Sequence, residues 1–297
     1  MGRVSPLKLA RRVASDFLAD DVLTLSAALA FYTLLSFAPL LVLGVWASSS
    51  LAPGAQDAML GQIQSLAGDD ARLAAQAVVD SANKRPSLGS IAGIVGIVTS
   101  LVGATTVFAQ LQASLNHIWG IKAKPTNAIW GWLRRRVLSM GVILAIAFVL
   151  AASLLLSTAL GAVLTRTGPL WDIVNQAVTA VVFGVLFALL FRYLPDARLR
   201  WRHAVLGGVV TAILFAIGKW LIGFYLARGD VGGAYGAAGS LVVLLVWVYY
   251  SGAIFFFGAE LVQAWLALTG EWIEPAAHAE RKKKTGGGGM ASAKAEG

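Results

Sequence analysis

The sequence predicts an all-α, polytopic membrane protein with six transmembrane helices and both termini in the cytoplasm. Six stretches contain no Asp, Glu, Lys or Arg, and five of them reach or closely approach the roughly 20 apolar residues that cross a bilayer core as a helix. They are residues 22–56, 86–121, 137–165, 173–191, 203–218 and 231–259. A hydrophobic fraction of 58% and a charged fraction of 13% exclude a water-soluble domain, whose charged share is about 25%.

The segments between these stretches alternate in positive charge, and this alternation predicts the orientation. Taken alternately, they hold 18 Lys and Arg residues on one side of the membrane and 5 on the other, and Lys219 inside the fifth helix completes the total of 24. Cytoplasmic loops are the ones rich in Lys and Arg. The first and last segments are both on the basic side, so both termini are expected in the cytoplasm.

The elements are expected in the following order. Residues 1–21 form a cytoplasmic interfacial segment, because charged and apolar positions alternate there. Residues 22–268 form the transmembrane domain, with an external loop of short amphipathic helices at 52–87. Residues 269–297, basic and glycine-rich, are expected to be a disordered cytoplasmic tail. The six spans are predicted at about 24–50, 88–116, 137–164, 173–193, 203–227 and 237–265.

The net charge of +9 is explained by this topology. Basic residues on the cytoplasmic face attract the anionic phospholipid headgroups of the bilayer at about 1 kcal/mol each, so no nucleic-acid partner is expected. The chain has no cysteine, and its three histidines (His117, His203 and His278) are far apart in sequence. No metal, no cofactor and no set of catalytic residues is therefore expected.

A polar stripe in the second predicted span is the most informative internal pattern. Its members recur every three or four residues, so they fall within about 80° of one another on a helix. They are Thr99, Gly103, Thr106, Gln110, Ala113 and His117, with Asn116 beside the end of the stripe. Two interpretations stay open: contacts that join neighbouring helices, or the wall of a polar cavity.

The first span carries a similar face. Ser26, Thr33 and Ser36 lie on it, Tyr32 stands to one side, and Pro39 is expected to kink the helix. If this face meets the stripe of the second span, the two form one polar seam. Tyr32, Thr33 and Pro39 are therefore candidates for a substrate path, together with the stripe.

Two charged residues interrupt the apolar spans. Lys219 lies about 24 Å above the start of the fifth span at 1.5 Å per residue, near the outer surface, where a lysine can extend to water. Glu260 lies about 35 Å below the start of the sixth span, near the inner interface. Tyr249 shares its helix face. Charged groups at membrane depth mark functional sites by default, but positions near the two surfaces also fit a lysine that extends to water and a structural glutamate at the interface. Both interpretations stay open, and Lys219, Tyr249 and Glu260 complete the candidate set.

Four segments together resemble the YihY/BrkB family of bacterial inner-membrane proteins. They are SAALAFYTLLSFAPLLVL (26–43), LQASLNHIWGI (111–121), FRYLPDARLRWRHAVLGGVVTAILFAIGKWLIGFYL (191–226) and GAYGAAGSLVVLLVWVYYSGAIFFFGAEL (233–261). The resemblance covers about residues 10–268 in the expected order. It implies a six-helix, multi-pass protein of the inner membrane. Members have been linked to serum resistance and to lipid or lipopolysaccharide export, and the family once carried a ribonuclease label.

Three functions compete on this basis. The first is a transporter or flippase-like protein for a lipid-linked or amphiphilic anionic substrate, which predicts a cavity lined by Thr99, Thr106, Gln110 and Tyr32. The second is a non-transporting scaffold or envelope-integrity factor that docks through residues 52–87. The third, an enzyme such as a ribonuclease, is not expected because no catalytic constellation is present in the sequence.

Overall fold

The computed structural model describes residues 5–51, 54–67, 69–83, 91–124, 169–229 and 239–282. This part of the chain is mostly helical, as the sequence predicts. Its helices are α1 (Pro6–Ala19), α2 (Val22–Leu51), α3 (Ala55–Ala67), α4 (Asp69–Asn83), α5 (Ile91–Ile118), α6 (Pro169–Tyr193), α7 (Trp201–Gly229) and α8 (Gly239–Thr269). The predicted third span, 137–164, lies outside the described residues.

Three of these helices are long and apolar enough to cross a membrane. The apolar segments are Gln176–Tyr193 in α6, Trp201–Ile222 in α7 and Leu241–Thr269 in α8. A fourth candidate consists of α1 and the first part of α2, which meet at a bend of 58°. The described residues therefore form a multi-pass membrane protein with three or four candidate spans. The full count of six spans and their orientation stay predictions.

The bend between α1 and α2 follows from two neighbouring acidic residues. Pro6 occupies the start of α1, where its missing N–H costs nothing, and the helix ends at Asp20. Asp21 then adopts a positive φ of 55°, a left-handed conformation that Asp tolerates better than most residues. This turn sends α1 back along α8, where Phe17 meets Phe257 edge to face at 6.0 Å.

The helices pack through small residues and aromatic rings. α2 lies against α5 and α8, and α7 lies between α6 and α8. A Cβ atom at Gly208 of α7 would come 2.5 Å from the Gly184 carbonyl oxygen of α6, so glycine permits this close approach. α6 also contacts α8 directly, because Phe191 of α6 stacks on Phe255 of α8 with ring centroids 4.9 Å apart.

α3 and α4 form a helical hairpin within the predicted external loop. Leu60, Ala75 and Val79 make a small buried core between them, with Met59 and Ile63 packed beside it. α4 also packs on α2 and α8. The hairpin is therefore attached to the bundle and has apolar contacts of its own.

Four short strands depart from the all-α prediction, and they lie in the segments between and after the helices. β1 (Ile121–Ala123) pairs antiparallel with β4 (Ala279–Arg281), and β2 (Ala197–Arg198) pairs antiparallel with β3 (Glu274–Pro275). The prediction of a disordered tail from residue 269 is therefore wrong for residues 270–282. Their backbone groups bond to the loops after α5 and α6, which offsets the entropy of ordering the chain.

Candidate functional site

A half-open groove lies between α6 and α7 and has a volume of about 470 Å³. Aromatic and small side chains form most of its wall, and Lys219 supplies a cation. The described lining residues are Gln176, Thr179, Ala180 and Phe183 of α6, and Ala212, Phe215, Ala216, Lys219, Trp220 and Phe224 of α7. The residues of α7 recur every three or four positions, so one face of that helix is turned toward the groove.

Lys219 and two aromatic side chains lie at an exposed part of this wall. Trp220 is 69% exposed and stacks on Phe224 at 5.9 Å. Deeper in the wall, Phe183 and Phe215 pack with ring centroids 4.8 Å apart. The groove thus combines an apolar surface with a positively charged group, an arrangement that suits a molecule with an apolar body and an anionic end.

The described lining residues of this groove include no polar side chain from the first two predicted spans. In α2, the Thr33 hydroxyl donates to the Leu29 carbonyl at 2.7 Å, so the helix itself satisfies it. Tyr32 is half-buried and lies edge to face with Phe31. α2 and α5 do pack together, as a common seam requires.

In α5, the described members of the stripe have neighbours within the helix or in the segments at its C-terminal end. Gln110 is half-buried and donates from Nε2 to Ser114 Oγ at 3.2 Å, and Thr106 is half-buried. The backbones of Pro39, Thr99 and Gly103 lie in α2 and α5, while their side chains fall outside what the structure describes. Tyr249 is half-buried in α8.

Asn116, at the end of the stripe, belongs to a hydrogen-bond network around a buried acid. Its Nδ2 donates to Asp196 Oδ2 at 2.9 Å, and its Oδ1 accepts from the Asp196 backbone N–H at 2.8 Å. Gln112 Nε2 donates to Asp196 Oδ1 at 3.3 Å, and His278 Nε2 lies 2.7 Å from the same oxygen. The Asp196 carbonyl also accepts from the Ala276 N–H.

We name these four residues (Asp196, Gln112, Asn116 and His278) the Asp196 network. It joins the end of α5, the turn after α6 and the C-terminal segment. Sequence reasoning missed Asp196, Gln112 and His278 as a group. One feature of the sequence could have indicated the network: Asp196, in the segment LPDAR, is an acid among basic residues at the end of a predicted span.

A second acidic centre lies close by and has different surroundings. Glu260 of α8 is fully buried, and neither of its carboxylate oxygens forms a hydrogen bond within the described residues. The neighbouring carboxyl group that interacts with it belongs to Asp20, at the bend between α1 and α2, although the pair makes no hydrogen bond of ordinary geometry. His117 Nε2 lies 4.0 Å from Asp20 Oδ1 on the other side.

Asp20 lies at the bend ahead of the predicted first span (about 24–50), and its surroundings change its titration. Burial raises the pKa of its carboxyl group above the ordinary value, and the nearby His117 partly lowers it. The acidic centre therefore brings two of the predicted candidates, Glu260 and His117, together with Asp20 at the α1–α2 bend. Within the described ranges, no group of three or more His, Asp or Glu side chains has a geometry that fits a metal ion.

The fold and this site define a multi-pass membrane protein with an amphipathic groove and buried acids at one end of its helices. The model of the family described as Virulence factor BrkB matches residues 13–283. The chain belongs to this family, and the resemblance to YihY/BrkB proteins is confirmed.

Curated relatives agree with this assignment. A UPF0761 membrane protein of Alkalilimnicola ehrlichii is 30% identical over 85% of this chain and 57% of its own length. A UPF0761 membrane protein of Pseudomonas aeruginosa is 30% identical over 86% of this chain and 62% of its own length. The chain thus spans about three-fifths of these relatives. No solved structure matches it.

Proposed function

We propose that this chain is a transporter or flippase-like protein that moves a lipid-linked or amphiphilic anionic molecule between the leaflets of the bacterial inner membrane. In this proposal the chain has six spans and both termini in the cytoplasm, in agreement with the alternation of basic loops. The basic cytoplasmic residues contact anionic phospholipid headgroups. No catalysed reaction is part of the proposal.

The groove between α6 and α7 is the observation that carries this proposal. Its volume of about 470 Å³ lies within the range of about 300–1,000 Å³ that is typical of small-molecule sites. Its walls combine aromatic rings with the small residues Ala180, Ala212 and Ala216, and it is open on one side. An acyl chain can enter such a groove laterally from the membrane, which a closed aqueous pore would not permit.

Lys219 supports an anionic substrate. It belongs to the apolar helix α7 and lines the groove, and a cation within a membrane helix is expensive unless it has a function. In the proposed orientation, the 1.5 Å rise per residue would bring it close to the outer surface of the bilayer. An anionic headgroup at Lys219 would leave the apolar body of the substrate against Phe183 and Phe215.

A scaffold function is the second candidate, and the α3–α4 hairpin is the observation that favours it. The hairpin has its own small core, yet Leu73 on α4 is 64% exposed. One exposed leucine is ordinary on a protein surface, so the feature that suits docking is the hairpin itself, which has a core of its own. This function requires no movement of lipid, so a leaflet-exchange assay separates the two candidates.

The test is the exchange of a fluorescent anionic phospholipid between the leaflets of vesicles that contain the purified protein. Lys219→Gln is expected to lower the rate by roughly tenfold, because one charge-assisted contact is lost, and Lys219→Arg is expected to retain it. Ala216→Trp fills the groove and is expected to block exchange. Ile213→Trp is the matched control, since Ile213 is on the same helix, 54% exposed and outside the described groove lining.

Two outcomes would overturn the proposal. Exchange at the same rate in protein-free vesicles would remove the transport function and favour the scaffold. Equal rates for Ala216→Trp and Ile213→Trp would show that lipid does not pass through the groove between α6 and α7.

A further inference from the structure

Glu260 is a buried acid whose two carboxylate oxygens both lack a hydrogen bond of ordinary geometry within the described residues. Its side chain is completely buried. It lies in the apolar helix α8 beside Phe256 and Ala259, which are also fully buried. An ionised carboxylate in such a place loses its hydration without compensation.

The neighbouring charges do not neutralise Glu260. Asp16 and Asp20, from the α1 side, both act on it with negative charge. His117 of α5 and Lys282 after β4 act on Asp20 as positive groups, and Arg12 is paired with Asp16 at 3.3 Å. Among the described residues, the cations of this region therefore act on the α1 acids, and Glu260 faces a second carboxyl group.

Two carboxyl groups that share a site repel each other strongly when both are ionised. Such a pair therefore holds one proton more tightly than either group would alone. A metal ion is the other common solution, but the described residues provide no cluster of three or more ligands for one. A proton is thus the ligand that fits the chemistry of the pair.

We propose that Asp20 and Glu260 form a proton-binding site, and that release of the shared proton separates α1 from α8. The proton-binding site itself is independent of the transport function. Its use as an energy input for moving an amphiphile rests on the function proposed above.

The position of Asp20 links release of the proton to a movement of α1. Asp20 lies at the bend of 58° between α1 and α2, next to Asp21 with its positive φ. α1 packs along α8 through contacts that include Phe17 and Phe257. When both acids are ionised, their repulsion acts at the end of α1 that is attached to the bend. Rotation about this bend moves α1 without disturbing the contacts of α2 with α5.

The chain contains no cysteine, so a single pair of spin labels can report the movement. Cysteines replace Ala10 on α1 and Thr269 at the end of α8, both of which are exposed. The distance between the labels is measured in lipid nanodiscs from about pH 5 to about pH 9, a range that brackets ordinary and raised carboxyl titration. Infrared difference spectra over the same range report the protonated carboxyl band directly.

In the unsubstituted background, the label distance is expected to increase with pH while the protonated carboxyl band is lost. Glu260→Gln, which imitates the protonated acid, is expected to abolish both changes and to hold the short distance at every pH. Asp20→Asn is expected to abolish the distance change, because Glu260 then loses the stronger of its two repelling neighbours and the remaining one, Asp16, is paired with Arg12. Asp21→Asn is the matched control and is expected to behave as the parent, since Asp21 is exposed and Asn tolerates its positive φ.

Several results would overturn this proposal. One is a distance change that persists in Glu260→Gln, and another is a carboxyl band that Glu260→Gln leaves intact. A distance that follows Na⁺ concentration at constant pH would assign the site to a cation instead. If Glu260→Gln does not give a monodisperse protein, Asp20→Asn decides the question alone. None of these measurements depends on lipid movement, so a failure here is distinguishable from a failure of the transport function.

Discussion

Asp196 and Glu260 are both buried carboxyl groups at the same end of the helices, but their surroundings differ. Asp196, which is 6% exposed, accepts hydrogen bonds from Gln112 and Asn116 and contacts His278 at 2.7 Å. Glu260 is fully buried and has no hydrogen bond within the described residues. Hydrogen-bond partners therefore surround the Asp196 carboxylate, whereas the Glu260 carboxylate lies in an apolar helix opposite Asp20.

This difference separates a structural role from a functional one. A buried acid that is surrounded by donors holds segments together, and here it joins α5, the turn after α6 and the C-terminal segment. A buried acid without donors adds nothing to stability as an anion, so its presence calls for a function such as binding a proton. Loss of the carboxyl group should therefore lower stability far more at Asp196 than at Glu260.

Asp196→Ala is expected to have the largest effect. It removes the acceptor of Gln112 and Asn116 and leaves buried amides unpaired, which should lower the free energy of unfolding by about 3 kcal/mol. Unfolding titrations in mixed micelles measure the change. Glu274→Ala is the control, because Glu274 is an exposed acid on the neighbouring strand β3, and it should change stability by less than about 0.5 kcal/mol.

His278→Ala is expected to have an intermediate effect. It removes one of the side-chain partners of Asp196, but the two amide donors remain. Because His278 is partly exposed, a loss of about 1 kcal/mol is expected. Hydrogen exchange of the backbone amides in β3 and β4 should also accelerate in this variant, since His278 connects the C-terminal segment to Asp196. Unchanged exchange would show that strand pairing alone holds this segment.

Glu260→Gln is expected to have the smallest effect on stability. The carboxyl group has no hydrogen bond to lose within the described residues, and a neutral amide of similar volume imitates the protonated acid. Stability near neutral pH should change by less than about 1 kcal/mol. The same unfolding titration as for Asp196→Ala makes the measurements comparable. A loss as large as that of Asp196→Ala would contradict the contrast between the two acids.

The apolar helices were predictable from the sequence because their signal is local. Runs of residues without charge indicate α2, α5, α6, α7 and α8, and each of these helices lies within a few residues of its expected bounds. The rise per residue likewise put Glu260 near one end of its helix, where the structure shows it next to the group that contains His117 and Asp20.

The contacts between distant segments were not predictable in the same way. Asn116 and Asp196 are 80 residues apart, and nothing in their local patterns relates them. The strands are only two or three residues long, too short for an alternating pattern to appear. His278 lies in a basic segment whose composition suggested disorder. The groove depends on how α6 and α7 meet, which the periodicity of either helix alone does not determine.

Leaflet exchange of an anionic fluorescent phospholipid in reconstituted vesicles tests the central claim most directly. The account predicts faster exchange with the protein than without it, a roughly tenfold loss in Lys219→Gln and recovery in Lys219→Arg. It also predicts that a zwitterionic probe is insensitive to the charge at Lys219. Equal exchange with and without protein, or equal rates for both probes in every Lys219 variant, would contradict it.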